Sequence, residues 1–178
     1  GDYVFSAVQL KGIQDLKGLP FRTAGASAEI LKELGAATVM IPYAEIYTAM
    51  QQGTIKACEW GDATAMLNIG IDKVAKYWYL PAFVQGGFNM TLANMKVWNA
   101  LPEDLKNIII QVAKAEYHTI GTDRFVQDQT SIQKAVTQSG VTLGYWTEDE
   151  MNQFVRAWIK SMSKLAAADP LGQELFNV

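Results

Sequence analysis

Apolar residues change spacing repeatedly along the chain, and glycine or proline marks each change. The first seventeen residues read as an arm or loop leading into Asp15-Leu-Lys-Gly18. Leu19 to Thr23 reads as a short extended segment, with Pro20 near its start as an edge strand tolerates. Ser27 is placed to cap a helix that runs to Leu34, turns Ile30, Leu31 and Leu34 inward, and stops at a left-handed Gly35. Thr38 to Ile41 reads as a second, buried strand. Pro42 opens a helix in a first-turn position, Tyr43, Ile46, Tyr47 and Met50 recur at helical spacing, and Gly53 ends it. Thr54, Ile55, Ala57 and Cys58 then suit a strand covered on both faces. The βαβαβ order predicts a mostly parallel sheet with right-handed crossovers.

Residues 62–79 carry Leu67, Ile71, Val74, Ala75 and Trp78 at intervals of three or four, which predicts a helix stopped by Pro81. Phe83 to Val97 reads as extended, with Gly86-Gly87 allowing a bend. Pro102, Glu103 and Asp104 open a long helix with its acids at the positive end of the dipole. Its pattern persists to about Gln138, broken only near Gly121, and a straight helix of that length would reach roughly 50 Å. That predicts a bridge between two lobes, a kink at Gly121 or a contact with a partner subunit. Val141 to Tyr145 reads as a last strand. Thr147 and Glu150 form a capping box for a final helix carrying Met151, Phe154, Val155, Trp158, Met162 and Leu165. Asp169-Pro170 ends it.

With 178 residues the chain can bury a substantial core. Its formal charge of −3 and lack of basic runs argue against a nucleic-acid binder. The sequence has one cysteine, which excludes an internal disulfide and a cysteine-rich zinc site. Cys58 itself reads as a small buried hydrophobe. No apolar run reaches the roughly 18 residues that span a bilayer.

The strand ending at Cys58 runs straight into Glu59 and Trp60, a carboxylate and an aromatic where ligand chemistry gathers in open α/β sheets. Glu59 could ligate a hard cation together with a backbone carbonyl, or pair with a nearby base. Trp60 could wall a ligand or belong to the core. Arg22 precedes the small, polar run Thr23-Ala-Gly25, where a guanidinium could clamp a carboxylate or make a surface ion pair. His118, the one histidine, sits mid-helix without a second histidine to assemble a triad or a metal cluster. Neither a Walker A loop nor a GxGxxG fingerprint occurs.

Several segments in order carry a resemblance: Asp15-Leu-Lys-Gly-Leu-Pro-Phe-Arg-Thr23, Ala44-Glu-Ile-Tyr47, Met50-Gln-Gln-Gly53, Thr54-Ile-Lys-Ala-Cys-Glu-Trp60, Lys73-Val-Ala-Lys-Tyr77 and Asn94-Met-Lys-Val-Trp-Asn-Ala-Leu-Pro102. Together they resemble the substrate-binding proteins of TRAP (tripartite ATP-independent periplasmic) transporters. The Glu-Trp pair resembles the DctP-like branch that takes 2-oxo acids, lactate, mannitol and chloroaromatic carboxylates. The chain departs from that pattern at Lys56, at Ala63, Ala65 and Met66, and at Val84-Gln-Gly-Gly87.

The resemblance implies an α/β, periplasmic-binding-protein-like lobe: a mostly parallel sheet flanked by helices, crossing strands, and a long helix bridging toward a second lobe. Residues 1–178 would be one partial receptor unit matching the second part of such a protein. About 15–60 and 130–178 would form the second-lobe core, and about 61–130 the crossing strands and bridging helices. It implies that Arg22 grips a ligand carboxylate. Glu59 and the Trp60 carbonyl would hold Na⁺ or Ca²⁺ bridging to a small organic anion. A periplasmic location, TRAP membrane subunits as partners and no catalysis follow from the same resemblance. The long apolar helix adds an expectation of homo-oligomers. An α/β hydrolase using Glu59 as base, and an oligomerisation module built on residues 103–138, are the competing readings.

Overall fold

The computed structural model describes residues 1–84 and 90–176, without side chains at 118–122 and 175–176. Its sheet contains β1 (Asp2–Ser6), β2 (Pro20–Arg22), β3 (Ala37–Val39), β4 (Ala57–Trp60), β5 (Tyr77–Val84) and β6 (Thr142–Tyr145), in the order β3-β2-β4-β1-β5-β6. β2 runs parallel to β3 and β4, and β5 parallel to β6. β1 lies antiparallel to both β4 and β5. The sheet is therefore two parallel blocks joined through one reversed central strand.

That central strand corrects the reading of residues 1–17 as an arm. Val4 and Phe5 are fully buried on opposite faces, so the strand has an apolar centre rather than the alternation of a half-buried one. The helix expected over 62–79 is also corrected. It comprises α3 (Ala63–Asn68), a 3₁₀ turn over Ile71–Lys73, and then β5. Pro81 sits inside β5, beside a register shift in the β1–β5 ladder where no paired N–H is required of it. β3 is an exposed edge strand, not the buried strand expected at Thr38 to Ile41.

The other helices are α1 (Ala26–Glu33), α2 (Ile46–Gln51), α4 (Met95–Ala100), α5 (Glu103–Ser139), α6 (Glu148–Ala167) and α7 (Pro170–Phe176). α1 starts after Gly25 rather than Ser27, and the Ser27 hydroxyl is used elsewhere. Gly35 and Gly53 close α1 and α2 with φ of +87° and +77°, where a side chain would be strained. The extended reading of Phe83 to Val97 gives way to helix from Met95, because Asn94 Oδ1 accepts from the Lys96 and Val97 N–H groups. Residues 85–89 of that stretch, with the Gly86-Gly87 bend, lie outside the described residues. The Thr147–Glu150 capping box is present, and Glu150 also accepts from the Ile13 N–H at 2.8 Å.

Two cores sandwich the sheet. Val4, Phe21, Ala57, Tyr79 and Phe83 face α1 and α6, where Leu31 and Phe154 meet them. Phe5, Cys58 and Trp78 face the opposite way, toward α2, α3 and the C-terminal part of α5. Phe5 and Trp78 meet edge-to-face at 4.9 Å, and each large side chain buried this way contributes about 1.5–3 kcal/mol. α5 is one unbroken helix of 37 residues, about 55 Å long at standard rise. Only Asp128, Ser131, Ile132 and Ala135 along it are buried among the described side chains. Among the described residues no helix is long and apolar enough to cross a membrane.

Candidate functional site

β2 ends on Arg22 and β4 on Trp60, and parallel pairing of Arg22 with Cys58 brings these ends together. β1 enters the same end of the sheet reversed, pairing Tyr3 with Trp60 and Val4 with Glu59. Strand ends on either side of a change in strand direction leave a crevice, the usual place for ligands in open α/β sheets. Arg22, Glu59 and Trp60 converge there.

Arg22 is 5% exposed, so its guanidinium is held by polar partners rather than by water. Nε donates to the Ile41 carbonyl at 2.9 Å and Nη1 to the Glu59 carbonyl at 3.4 Å. Nη1 also stands 3.7 Å from Glu59 Oε1. Nη2 makes no hydrogen bond among the described residues, which leaves one edge of a fork suited to a planar carboxylate. The alternative of a surface ion pair does not fit, because both partners are buried.

Glu59 is 6% exposed and accepts from the Ala24 N–H at 3.1 Å. Burial, and after it the neighbouring Asp2 carboxylate, push the Glu59 carboxyl up to about 7, against the pull of the Ala24 N–H and Arg22. A carboxylate short of positive charge is one that a cation would stabilise. Thr23 adds a second sign. Its hydroxyl lies beside the Glu59 carboxyl and favours the ionised form, yet this buried oxygen makes no hydrogen bond of full geometry.

Trp60 is half-buried and stacks against Tyr43 with ring centroids 4.5 Å apart. The Arg22 guanidinium carbon lies 5.1 Å from the Trp60 ring centroid, within cation–π range. Tyr43 in turn donates its hydroxyl to the Ala65 carbonyl at 2.7 Å. Trp60 thus links the arginine to the second core.

These donors fit a hard cation in kind: one carboxylate, a buried hydroxyl and strand-end carbonyls are all oxygen ligands. They fall short in number. Among the described residues no group of three or more His, Cys, Asp or Glu could hold a metal, whereas Ca²⁺ takes about six to eight oxygens. The ion would complete its shell with ligand and water oxygens.

The other candidates separate from the site. Cys58 is fully buried and its thiol is pushed up by that burial, as expected of a small hydrophobe. The His118 side chain lies outside the described residues. Sequence reasoning passed over Asp2, Thr23 and Tyr43 as site neighbours. Asp2 stood in a segment read as a loop, and Tyr43 was absorbed into a helical core pattern. Just beyond Trp60, Asp62 caps α3 through the Ala65 N–H at 2.8 Å and pairs with Arg124 at 3.4 Å. Asp128 of α5 accepts from the Thr64 N–H and hydroxyl at 3.1 and 3.2 Å, tying the long helix to the first turn of α3.

Comparison with known proteins shows the family of the whole chain. Residues 1–169 match the family described as bacterial extracellular solute-binding protein, family 7. A monocarboxylate 2-oxoacid-binding periplasmic protein from Nostoc sp. is 33% identical over 101 residues, which are 56% of this chain and 28% of that protein. A TRAP periplasmic solute-binding protein from Colwellia psychrerythraea, solved with bound calcium and pyruvate, superposes with a TM-score of 0.79 at 27% identity, covering 98% of this chain and 53% of its own. Another from Pseudoalteromonas atlantica, with bound sodium and pyruvate, gives 0.78 at 25% identity over 96% of this chain and 52% of its own. The chain spans about half the length of those solved proteins. The family and the structures it resembles are solute receptors rather than enzymes, and the Nostoc relative is described as periplasmic. The chain belongs to family 7 of the bacterial extracellular solute-binding proteins.

Proposed function

We propose that this chain is the ligand-gripping part of a periplasmic receptor that delivers a small 2-oxo or 2-hydroxy carboxylate to TRAP membrane subunits. The observation that carries the reading is the convergence of Arg22, Glu59 and Trp60 at one set of strand ends, with the Arg22 fork held but one edge unspent. Arg22 grips the ligand carboxylate. Glu59, with the Trp60 carbonyl, holds Na⁺ or Ca²⁺, and the ion supplies a positive contact for the ligand's adjacent oxygen. Trp60 walls the site. The pyruvate and cations bound by the Colwellia and Pseudoalteromonas proteins support this choice of ligand class.

Binding makes and breaks no covalent bond. Its work is a population shift: contacts available only when the surfaces around the ligand come together favour the closed state. Residues about 15–60 and 130–178 form the lobe core in this reading, and about 61–130 bridge toward a second lobe. The exposed apolar positions of α5, among them Leu105, Ile108 and Val112, support pairing with a second copy of the chain.

Thermal unfolding with pyruvate and CaCl₂, run beside an assay of carboxylate-ester turnover, tests the reading. A reproducible upward shift without turnover is expected of a receptor. Ester turnover that Glu59→Gln abolishes would transfer the site to a hydrolase.

A further inference from the structure

α5 meets the lobe through few buried side chains, and half of them are polar. Among the described side chains, Ile132 and Ala135 enter the second core, while Asp128 and Ser131 do not. Both polar residues go to Thr64, in the first turn of α3. Asp128 Oδ1 accepts from the Thr64 N–H and hydroxyl, and the Ser131 hydroxyl lies 2.9 Å from that same hydroxyl. One turn earlier on α5, Arg124 reaches Asp62, the cap of α3. Asp62 follows Trp60 by two residues. The polar seat of the long helix is therefore built on the segment that leaves the Glu59–Trp60 strand end.

That choice of residues costs stability. Asp128 is buried, yet no salt bridge reaches it among the described residues, and Arg124 is turned to Asp62 instead. Burial raises its carboxyl above the ordinary value, the Thr64 N–H pulls it back, and the Asp62 charge pushes it up again. An apolar side chain here would seat the helix without burying a charge. What the carboxylate adds is direction. Hydrogen bonds weaken steeply when misaligned, whereas apolar contact is non-directional and tolerates small slides. A seat of this kind grips α5 in one placement of the α3 turn and releases it in others, while Ile132 and Ala135 keep the helix attached.

We infer that Asp128 is a positioning residue for the crevice: through Thr64 it couples the seat of α5 to the placement of Trp60, an inference that rests on the proposed receptor reading. The connection is short. Trp60 is held on one side by the Arg22 guanidinium, 5.1 Å from its ring centroid, and on the other runs through Gly61 into the Asp62 cap. A ligand that fixes Arg22 and Trp60 fixes the start of α3, and with it the Thr64 N–H and hydroxyl that Asp128 contacts. Ligand binding then tightens the seat, and a tight seat favours the ligand. These are two sides of one coupling free energy, so the two effects must match in size.

The test pairs calorimetric titration of pyruvate, in CaCl₂, with amide hydrogen exchange along residues 128–135, read against α6 residues 154–161 as the measure of global stabilisation. The proteins are the unmodified chain, Asp128→Ala, Asp128→Asn, Thr64→Val and Arg22→Ala, with circular dichroism as the check on folding. In the unmodified chain pyruvate should slow exchange at 128–135 about five-fold or more beyond any slowing in α6. Asp128→Ala should erase that extra slowing and weaken pyruvate by a similar factor. Asp128→Asn, which keeps an oxygen acceptor for Thr64, should restore both. Thr64→Val keeps the N–H and loses the hydroxyl, so it should lower both by a smaller factor, and it carries the test if Asp128→Ala does not fold. Faster exchange in the variants with pyruvate affinity and ligand-dependent slowing unchanged would make Asp128 a structural contact only, overturning the coupling and leaving the receptor reading in place. Pyruvate that fails to bind the unmodified chain, or binds Arg22→Ala equally well, overturns both.

Discussion

Arg22 Nη1 and Glu59 Oε1 face each other 3.7 Å apart, both buried at the ends of neighbouring parallel strands. The separation is too long for a tight charge-assisted hydrogen bond, which falls near 2.7–2.9 Å for such pairs. The pair is oriented without being closed on itself, and this is the geometry expected of groups that share a third partner. Arg22 is positioned by the Ile41 carbonyl and the Trp60 ring, so its direction does not depend on Glu59 alone.

The raised Glu59 carboxyl makes stability depend on pH in a defined window. Its folded value of about 7 lies above the ordinary 4.5. Between those two values the folded chain holds a proton that the unfolded chain has lost, so stability falls as pH rises. The ligand-free protein should therefore lose stability from about pH 4.5 to 7 and level off above, in the part of its profile due to Glu59. Urea unfolding across that range should give a flatter curve for Glu59→Gln. Identical profiles for the two proteins would contradict the assignment.

Tyr43 holds Trp60 in place through ring stacking and anchors itself on the Ala65 carbonyl. Tyr43→Phe keeps the stack and loses the hydrogen bond, at a cost of roughly 0.5–1.5 kcal/mol. The melting temperature should drop by about 1–6 °C for a protein of this size, with pyruvate affinity nearly unchanged. A large loss of affinity in this variant would mean that the hydroxyl, not the ring, serves the site.

The capping box gives a prediction remote from the ligand. Thr147 Oγ1 accepts from the Glu150 N–H, and Glu150 reaches both the Thr147 and the Ile13 N–H groups. Thr147→Ala should cost about 0.5–2 kcal/mol in denaturant unfolding, and Glu150→Ala more, because it also releases the segment between β1 and β2. Equal effects would show that the Ile13 contact adds nothing.

These contacts show how much could be read from sequence. The capping box, the left-handed Gly35 and Gly53 and the start of α5 were legible because each is a local rule: a hydroxyl three residues from an acid, a glycine after a helix, a proline before one. β1 was not legible, because Val4 and Phe5 are buried on opposite faces and a strand covered on both sides has no alternation to detect. β5 was hidden differently. Ile71, Ala75 and Trp78 all face one core at helical intervals although they lie on a turn, a connection and a strand. In the site, Arg22, Glu59 and Trp60 stood out as polar or aromatic residues at strand ends. Asp2 did not, since its place beside Glu59 comes from the β1–β4 pairing and its contact with Ser27, which only the folded sheet provides.

The exposed apolar side of α5 is testable as an interface. Leu105, Ile108 and Val112 recur at intervals of three and four and are all exposed. Ile108→Glu should shift sedimentation toward the smaller species while leaving the unfolding of the sheet and pyruvate affinity unchanged. Sedimentation identical to the unmodified protein would remove this face from the account of self-association.

The most direct test of the central claim is calorimetric titration of pyruvate, in CaCl₂, into the unmodified protein and Arg22→Ala. Losing a charge-assisted contact of about 1.5–3 kcal/mol should weaken binding by roughly 10- to 150-fold. Circular dichroism should confirm that the variant is folded. Unchanged pyruvate affinity in folded Arg22→Ala would contradict the carboxylate clamp.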